Sequence, residues 1–158
     1  MTFLEFFHAG GFVMWPLLAL SLGSVAVILE RFYTFQTAPK PREIAVSLHV
    51  ERDAQRLALD LERNLPLLSA TAALAPLLGL LGTVVGMIST FNALATARQS
   101  GNTDAVLSGI GEALYATASG IFIALVAMAA YTFFAARVRR ILVEIEVLAT
   151  ENETQIAA

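Results

Sequence analysis

Residues 75–87 read APLLGLLGTVVGM, an apolar segment in which glycine returns every three or four residues. On an α-helix, at about 100° per residue, the small and hydroxyl-bearing residues of this region fall within about 100° of arc. These residues are Ala75, Gly79, Gly82, Thr83, Gly86 and Thr90. Such a face lets membrane helices approach closely, and it can also line a narrow pore, whereas a helix surrounded by lipid has no use for it.

The composition of the chain is that of a membrane protein. Of its 158 residues, 57% are hydrophobic, against about 45–50% in an average soluble domain. Charged side chains leave three gaps of 24, 34 and 24 residues, at 6–29, 64–97 and 113–136. Because about 20 apolar residues span a bilayer, these gaps predict an all-α protein with three transmembrane helices.

The distribution of Lys and Arg predicts the orientation of these helices. Residues 1–11 carry neither, residues 30–66 carry six, the turn near residue 98 carries one, and residues 137–140 carry three. Because cytoplasmic loops are enriched in Lys and Arg, we expect the N-terminus outside and the C-terminus in the cytoplasm. No basic residue precedes the first apolar run, so we expect an uncleaved first helix rather than a signal peptide.

The expected helices follow from these gaps and from apolar periodicity. The first runs over about 12–29, with aromatic anchors at both ends: Phe12, Trp15, Phe32, Tyr33 and Phe35. After a break at 37–42, the apolar stripe Ile44, Leu48, Leu57, Leu61 and Leu65 predicts an amphipathic helix near 43–64.

The second and third helices, near 66–97 and from about 104 to beyond 131, exceed 30 residues, so we expect both to extend into the cytoplasm. The third continues as an amphipathic piece with Val138, Ile141, Leu142, Ile145 and Leu148. The expected divisions are 1–29 (periplasmic N-terminus and first helix), 30–66 (short cytoplasmic segment), 67–136 (pore-lining hairpin) and 137–158 (cytoplasmic C-terminal helix).

The second and third helices form a hairpin whose turn lies near residue 100, so we expect Thr83 and Thr117 at the same depth on the two arms. The third helix carries its own face of small residues, which includes Ala113, Gly120 and Ala124. The threonines and small faces can line an ion path. Alternatively, the faces only pack the arms together, and each hydroxyl bonds back to its own helix.

Glu112 is the carboxylate of the hairpin that lies nearest the membrane. Carboxylates within membranes are costly and usually functional, although Glu112 could also reach the outer interface or bond across a subunit contact. It is about 140° around the helix from Thr117, so the two do not share a face. No Asp or Glu lies in the middle of any span, so a proton path would need a titrating group from a partner chain.

Several other classes are disfavoured by the residues. Cysteine is absent, and the two histidines, His8 and His49, lie far apart, so we expect no disulfide, metal or cofactor. No nucleophile–base pair or phosphate-binding loop points to an enzyme. Basic residues are balanced by acidic ones in the same segments, so we expect no nucleic acid partner.

Two longer motifs, APLLGLLGTVVGMISTF (75–91) and GIGEALYATASGIFIALVA (109–127), resemble the second- and third-helix signatures of the MotA/TolQ/ExbB proton-channel family. The resemblance is strongest over about 70–131. Three spans favour the ExbB/TolQ branch over the four-span MotA branch. Only about 36 residues separate the first and second helices, so this is a short member in which the choice between ExbB and TolQ stays open.

The resemblance implies a function and a set of partners. Thr83 and Thr117 match the family's pore threonines, and Glu112 matches its third-helix glutamate. The family forms a homopentamer around a dimer of a single-span ExbD/TolR-like protein, whose aspartate completes the ion path. Such a stator, in the bacterial inner membrane and surrounded by lipid, uses ion motive force to do mechanical work on a periplasmic system. A TonB- or TolA-like protein is the further partner that the resemblance implies.

Two alternatives stay open at this point. A membrane scaffold without ion flux would use the small faces and Glu112 only as contacts. A stator driven by Na⁺ instead of H⁺ is equally compatible with hydroxyl oxygens, which suit hard cations.

Overall fold

The computed structural model describes residues 10–37, 50–100 and 104–157, and nearly all of them are helical. There are four helices in this part of the chain: α1 (Met14–Thr37), α2 (Val50–Glu62), α3 (Leu65–Ser100) and α4 (Asp104–Ala157). No described residue belongs to a strand, and the expected all-α class is confirmed.

Three stretches of the described chain are long and apolar enough to cross a membrane: Met14–Thr37, Arg52–Asn92 and Leu107–Glu151. This confirms a three-span helical membrane protein. α3 has 36 residues and α4 has 54. At 1.5 Å per residue both are longer than the hydrocarbon core of a bilayer, which is about 30 Å thick. Their extension into the cytoplasm stays a prediction.

The observed helix bounds differ from the expected ones mainly in α1. It continues to Thr37 instead of ending near Leu29, because Arg31 finds partners at the end of α2 and Glu30 finds one in the turn that follows α2, so the charged pair does not end the helix. The chain turns at Arg63 and Asn64 between α2 and α3. Thr37, expected at the start of a break over 37–42, and residues 98–100, expected in the hairpin turn, are still helical. The rest of that break, the start of the amphipathic helix near 43, residues 101–103 of the turn and residues 1–9 lie outside the described residues.

The chain divides into two compact units. The first, which we call the hairpin unit, comprises Met1–Ser24 and Ser69–Met128. The second, the four-helix unit, comprises Val25–Leu68 and Ala129–Ala158. These units are defined by packing and not by position in a membrane, so the four divisions expected from the sequence stay a prediction.

In the hairpin unit, the beginning of α1 packs against α3 and α4. Val13, Met14 and Leu17 are buried together with Ala75 of α3 and Ala124 of α4. Partly buried apolar side chains from the same three helices, Leu20, Leu78 and Ile123, surround this core. The beginning of α1 is therefore packed on one side of the hairpin through an apolar core.

In the four-helix unit, all four helices contribute to one apolar core. Its buried residues are Val27, Leu57, Leu61, Leu65, Leu68, Phe134, Val138 and Ile145. Leu57, Leu61 and Leu65 belong to the stripe expected for the amphipathic helix, whose Ile44 and Leu48 lie outside the described residues. The burial of Val138 and Ile145 agrees with the amphipathic pattern expected after the third span.

Arg31 is buried in the four-helix unit with only 3% of its surface exposed. Its guanidinium donates to the carbonyl oxygens of Asp60 at 2.7 Å and Leu61 at 3.1 Å, and to the carboxylate of Glu30 at 2.8 Å. Glu30 also accepts a bond from the side-chain amide of Asn64. Carbonyls in the last turn of a helix lack partners within the helix, so Arg31 caps the C-terminal end of α2.

The aromatic residues at the two ends of α1 do not all have the same role. Phe12, Trp15, Phe32 and Tyr33 are exposed, as anchors in a lipid interface would be. Phe35 instead stacks on Phe134 of α4, with ring centroids 5.5 Å apart and planes within 8°. Its ring is therefore part of the packing of the four-helix unit rather than a membrane anchor.

Candidate functional site

The small-residue face of α3 lies in a tight seam against α4. Five of its six residues are buried, namely Ala75, Gly79, Gly82, Gly86 and Thr90. A Cβ added to Gly79 would lie 3.1 Å from both the carbonyl oxygen of Ala116 and the Cα of Thr117. The two backbones are thus almost in contact, which only small residues allow.

The predicted face of α4 forms the other side of the seam. Ala113, Gly120 and Ala124 are buried. A Cβ on Gly120 would lie 2.5 Å from the carbonyl oxygen of Ala75, and one on Gly86 would lie 2.8 Å from the Cβ of Ala113. Each small residue of one helix therefore fits into a gap left by a small residue of the other.

Sequence reasoning missed two residues of this seam, Gly109 and Ala116. Ala116 is fully buried and would overlap a Cβ placed on Gly82. A Cβ on Gly109 would lie 2.5 Å from the hydroxyl of Thr90. Both residues follow the spacing of three and four that marks the α4 face, so extending that periodicity from Ala113 in both directions would have found them.

The three threonines of the site use their hydroxyls differently. Thr83 donates to the carbonyl oxygen of Leu80 at 2.6 Å, and Thr90 donates to that of Gly86 at 2.9 Å, both within α3. Thr117 donates across the seam to the carbonyl oxygen of Gly79 at 2.8 Å. The alternative in which each hydroxyl bonds to its own helix therefore describes Thr83 and Thr90 but not Thr117.

The register of the hairpin also differs from the expected one. Thr117 lies against Gly79, so Thr83 is one helical turn away along α3 and the two threonines are not side by side. The glycine gaps in α3 decide this register, because α4 approaches most closely where no side chain intervenes. Thr83 and Thr117 are both partly exposed, which sets them apart from the buried residues of the seam.

Glu112 is partly exposed and lies against the turn that precedes α1. Its side chain touches Gly11, whose φ of 67° lies in the left-handed region. Gly11 did not stand out in the sequence; the only indication was a Gly–Gly pair, at 10 and 11, directly before the first span.

The described part of the chain offers no cluster of metal-ligating side chains. Among residues 10–37, 50–100 and 104–157, no group of three or more His, Cys, Asp and Glu side chains is placed to hold an ion. The gaps at 64–97 and 113–136 contain no carboxylate in the sequence. Within these two gaps the polar groups available to an ion are hydroxyls, backbone carbonyls and the side-chain amides of Asn64 and Asn92, which can coordinate a cation but do not titrate near neutral pH.

Comparison with known proteins gives relatives from two related systems. The Tol-Pal system protein TolQ of Pseudomonas aeruginosa is 40% identical over 93 residues, which cover 59% of this chain and 38% of the relative. The TolQ of Haemophilus influenzae is 39% identical over 97 residues, 61% of this chain and 40% of the relative. This chain therefore matches less than half of the length of these TolQ proteins.

A shorter relative matches along most of both chains. The biopolymer transport protein ExbB of Aquifex aeolicus is 30% identical over 138 residues, which cover 86% of this chain and 86% of the relative. No solved structure gives a significant match. Residues 22–147, which contain most of α1 and the whole hairpin seam, match the MotA/TolQ/ExbB proton channel family, a family of membrane channel proteins rather than enzymes, and the chain belongs to that family.

Proposed function

We propose that this chain is the pore-forming subunit of a proton-driven stator in the bacterial inner membrane. The stator converts ion motive force into mechanical work on a periplasmic system, the function that the resemblance to the family implies; relatives are named for the Tol-Pal system and for biopolymer transport. The observation that carries the proposal is the position of Thr83 and Thr117. Both remain partly exposed on adjacent helices, whereas the small residues around them are closed into the seam.

The partners follow from what the chain lacks. Its span interiors contain no carboxylate. A dimer of a single-span ExbD/TolR-like protein, enclosed by a homopentamer of this chain, would supply the titrating aspartate next to the exposed threonines. We assign a TonB- or TolA-like protein as the component that receives the motion. The N-terminus faces the periplasm, and residues 30–66 and 137–158 face the cytoplasm.

A second candidate function is a helical membrane scaffold without ion flux. The seam between α3 and α4 favours it, because close packing accounts for the buried small residues without any pore. The same seam is also compatible with a stator in which the ion path runs beside the seam, past the partly exposed threonines. A stator that uses Na⁺ is the third possibility, because hydroxyl and carbonyl oxygens coordinate Na⁺ as well as they relay protons.

The first test measures the subunit composition of the complex and the ion flux through it. We would co-express the chain with a single-span ExbD/TolR-like protein, determine the mass of the complex by native mass spectrometry, and measure proton uptake and Na⁺ uptake into vesicles. We expect five copies of this chain with two of the partner, and flux when a membrane potential is imposed. A complex of this composition that takes up neither ion supports the scaffold, and Na⁺ uptake without proton uptake supports the Na⁺ stator.

The second test is Thr83→Ala, with Thr132→Ala as a matched control. Both threonines donate to the carbonyl three residues earlier, Leu80 and Ala129 respectively. We expect Thr83→Ala to lower flux about tenfold or more, about 1.4 kcal/mol in barrier height, with an unchanged complex mass. Thr132→Ala should keep wild-type flux. Equal flux in both variants would contradict a role of Thr83 in the ion path.

A further inference from the structure

The turn before α1 has a backbone conformation that glycine alone adopts easily. Gly11 has a φ of 67°, and it is the sole described residue with a positive φ. Its carbonyl oxygen accepts the N–H of Met14 at 3.1 Å, and that of Phe12 accepts the N–H of Trp15 at 3.3 Å. Gly11 therefore lies at the N-terminal end of α1, where the first N–H groups of the helix give a partial positive charge.

The carboxyl group of Glu112 occupies the space beside this glycine. The three atoms nearest to the position of a Cβ on Gly11 are Oε1, Cδ and Cγ of Glu112. Such a Cβ would overlap Oε1 and lie only 2.5 Å from Cδ and 3.1 Å from Cγ. The end of the Glu112 side chain thus packs directly on the Gly11 backbone, and both residues belong to the hairpin unit.

Both features of Gly11 serve the same contact. The missing side chain leaves room for the carboxylate, and the left-handed φ turns the chain into α1 next to it. The contact joins the first span to the third within one chain.

We propose that Glu112 lies on the ion path, as its match to the family's third-helix glutamate implies, and that Gly11 is its positioning residue: the turn before α1 holds the carboxylate in the orientation that ion transfer needs. The effect on flux rests on the function proposed above, whereas the contact itself does not. Any side chain at residue 11 displaces the carboxylate. A shorter acidic side chain at residue 112 withdraws from residue 11 and makes room again.

The test is a double-mutant cycle on the full complex with its partner. The variants are Gly11→Ala, Glu112→Asp and the two combined, and Gly23→Ala is the control because a Cβ there meets no atom within 4 Å. Proton flux into vesicles and the thermal unfolding midpoint of the complex are measured for each. Alanine at residue 11 is strained by the positive φ whether residue 112 is Glu or Asp. The overlap of its Cβ with the carboxylate occurs only with Glu112, so the cycle separates backbone strain from overlap.

We expect Gly11→Ala to lower flux about tenfold beside Glu112 but less than about threefold beside the shorter Glu112→Asp side chain. The midpoint should show coupling of the same sign, and Gly23→Ala should leave both measurements near wild type. An equal loss in both backgrounds overturns the inference, because strain alone then explains it. Coupling in the midpoint without coupling in flux overturns the positioning role.

The failure of the proposed function has a different signature. If the wild-type complex carries no ion, the stator proposal fails, and the flux arm of the cycle has nothing to measure. The thermal unfolding midpoints still test whether Gly11 and Glu112 are in contact. Coupling between the two substitutions supports the contact, and additive effects overturn it.

Discussion

Thr83 and Thr117 carry the same functional group, yet they meet different partners. The hydroxyl of Thr83 stays on its own helix, and that of Thr117 reaches the carbonyl oxygen of Gly79 on the neighbouring helix. In a membrane the gain from an interhelical hydrogen bond is modest, about 0.6–2 kcal/mol, so Thr117 contributes to the stability of the hairpin without dominating it. Loss of function in a Thr117 variant therefore requires a stability measurement beside it.

Thr117→Val removes this bond and keeps the branched shape of the side chain. We expect it to lower the free energy of unfolding by about 0.5–2 kcal/mol, whereas Thr117→Ser keeps the bond and most of the stability. Thr83→Val, which breaks only a bond within α3, should change stability by less than about 0.5 kcal/mol. Denaturant titration of the detergent-purified chain measures all three, and equal effects at residues 83 and 117 would contradict the cross-helix bond.

Arg31 is the second residue whose role depends on distant partners. Its guanidinium reaches the carbonyl oxygens of Asp60 and Leu61 in the last turn of α2. We expect Arg31→Met to leave these carbonyls without their partner and to lower the free energy of unfolding by about 2–3 kcal/mol. Lysine has no planar fork, so Arg31→Lys should recover only part of this.

Arg139 provides the control for Arg31, because it is exposed on α4. Arg139→Met should change the free energy of unfolding by less than about 0.5 kcal/mol. The comparison uses the same denaturant titration, and a similar loss in both variants would show that net charge rather than the cap of α2 is responsible.

At the scale of elements, α3 and α4 pack through small residues along the whole seam. The three nearest atoms to a Cβ on Gly120, and the three nearest to one on Gly79, are all backbone atoms of the other helix, which cannot rotate away as a side chain could. The glycines of the seam therefore set the distance between the helices. The remaining glycines of the helices lie in open positions: neither Gly23 nor Gly111 has an atom within 4 Å of an added Cβ.

Gly120→Ala and Gly111→Ala should consequently change stability in opposite directions. At Gly120 a Cβ would lie 2.5 Å from the carbonyl oxygen of Ala75 and 3.0 Å from the Cα of Gly79, so the helices must separate. We expect a loss of about 1–3 kcal/mol. At Gly111 the higher helix propensity of alanine should raise stability by up to about 1 kcal/mol. Thermal unfolding in detergent tests both, and a stabilising Gly120→Ala would refute the close seam.

At the scale of the whole molecule, most of the apolar surface of the three spans is not buried by other parts of the same chain. Within the most apolar window of each span, only 22%, 33% and 22% of the residues are buried. The rest of this apolar surface needs lipid or further protein chains as its surroundings. This agrees with membership of a family of membrane channels, and it leaves room for the homopentamer that we propose.

The orientation of the chain can be tested directly because it contains no cysteine. We would introduce single cysteines at the exposed residues Gln55, Ser108 and Glu144 and label them in intact cells and in inverted vesicles. We expect a membrane-impermeant maleimide to label the cysteine at 108 from outside and those at 55 and 144 only from the cytoplasmic side. The reverse pattern would overturn the proposed topology.

Hydropathy, charge and periodicity were sufficient to predict the three spans, the all-α class and the apolar stripes that bury Leu57, Leu61, Val138 and Ile145. They also located the small face of α3, of which all but Thr83 is buried. These features repeat locally along a helix, so a single sequence contains them. α1 ends eight residues beyond the expected end, because the first gap between charged residues stops at Leu29 and does not reveal that Glu30 and Arg31 find partners in the fold.

Three features were decided by tertiary structure alone: the register that places Thr117 against Gly79, the burial of Arg31 on the last carbonyls of α2, and the contact of Glu112 with Gly11. Each joins groups that lie far apart in sequence, and in each the deciding group is a backbone atom or a missing side chain. Backbone carbonyls are the same at every residue, and the room beside a glycine depends on which helix approaches it. The sequence by itself therefore determined which surfaces exist, and packing in three dimensions decided which of them meet.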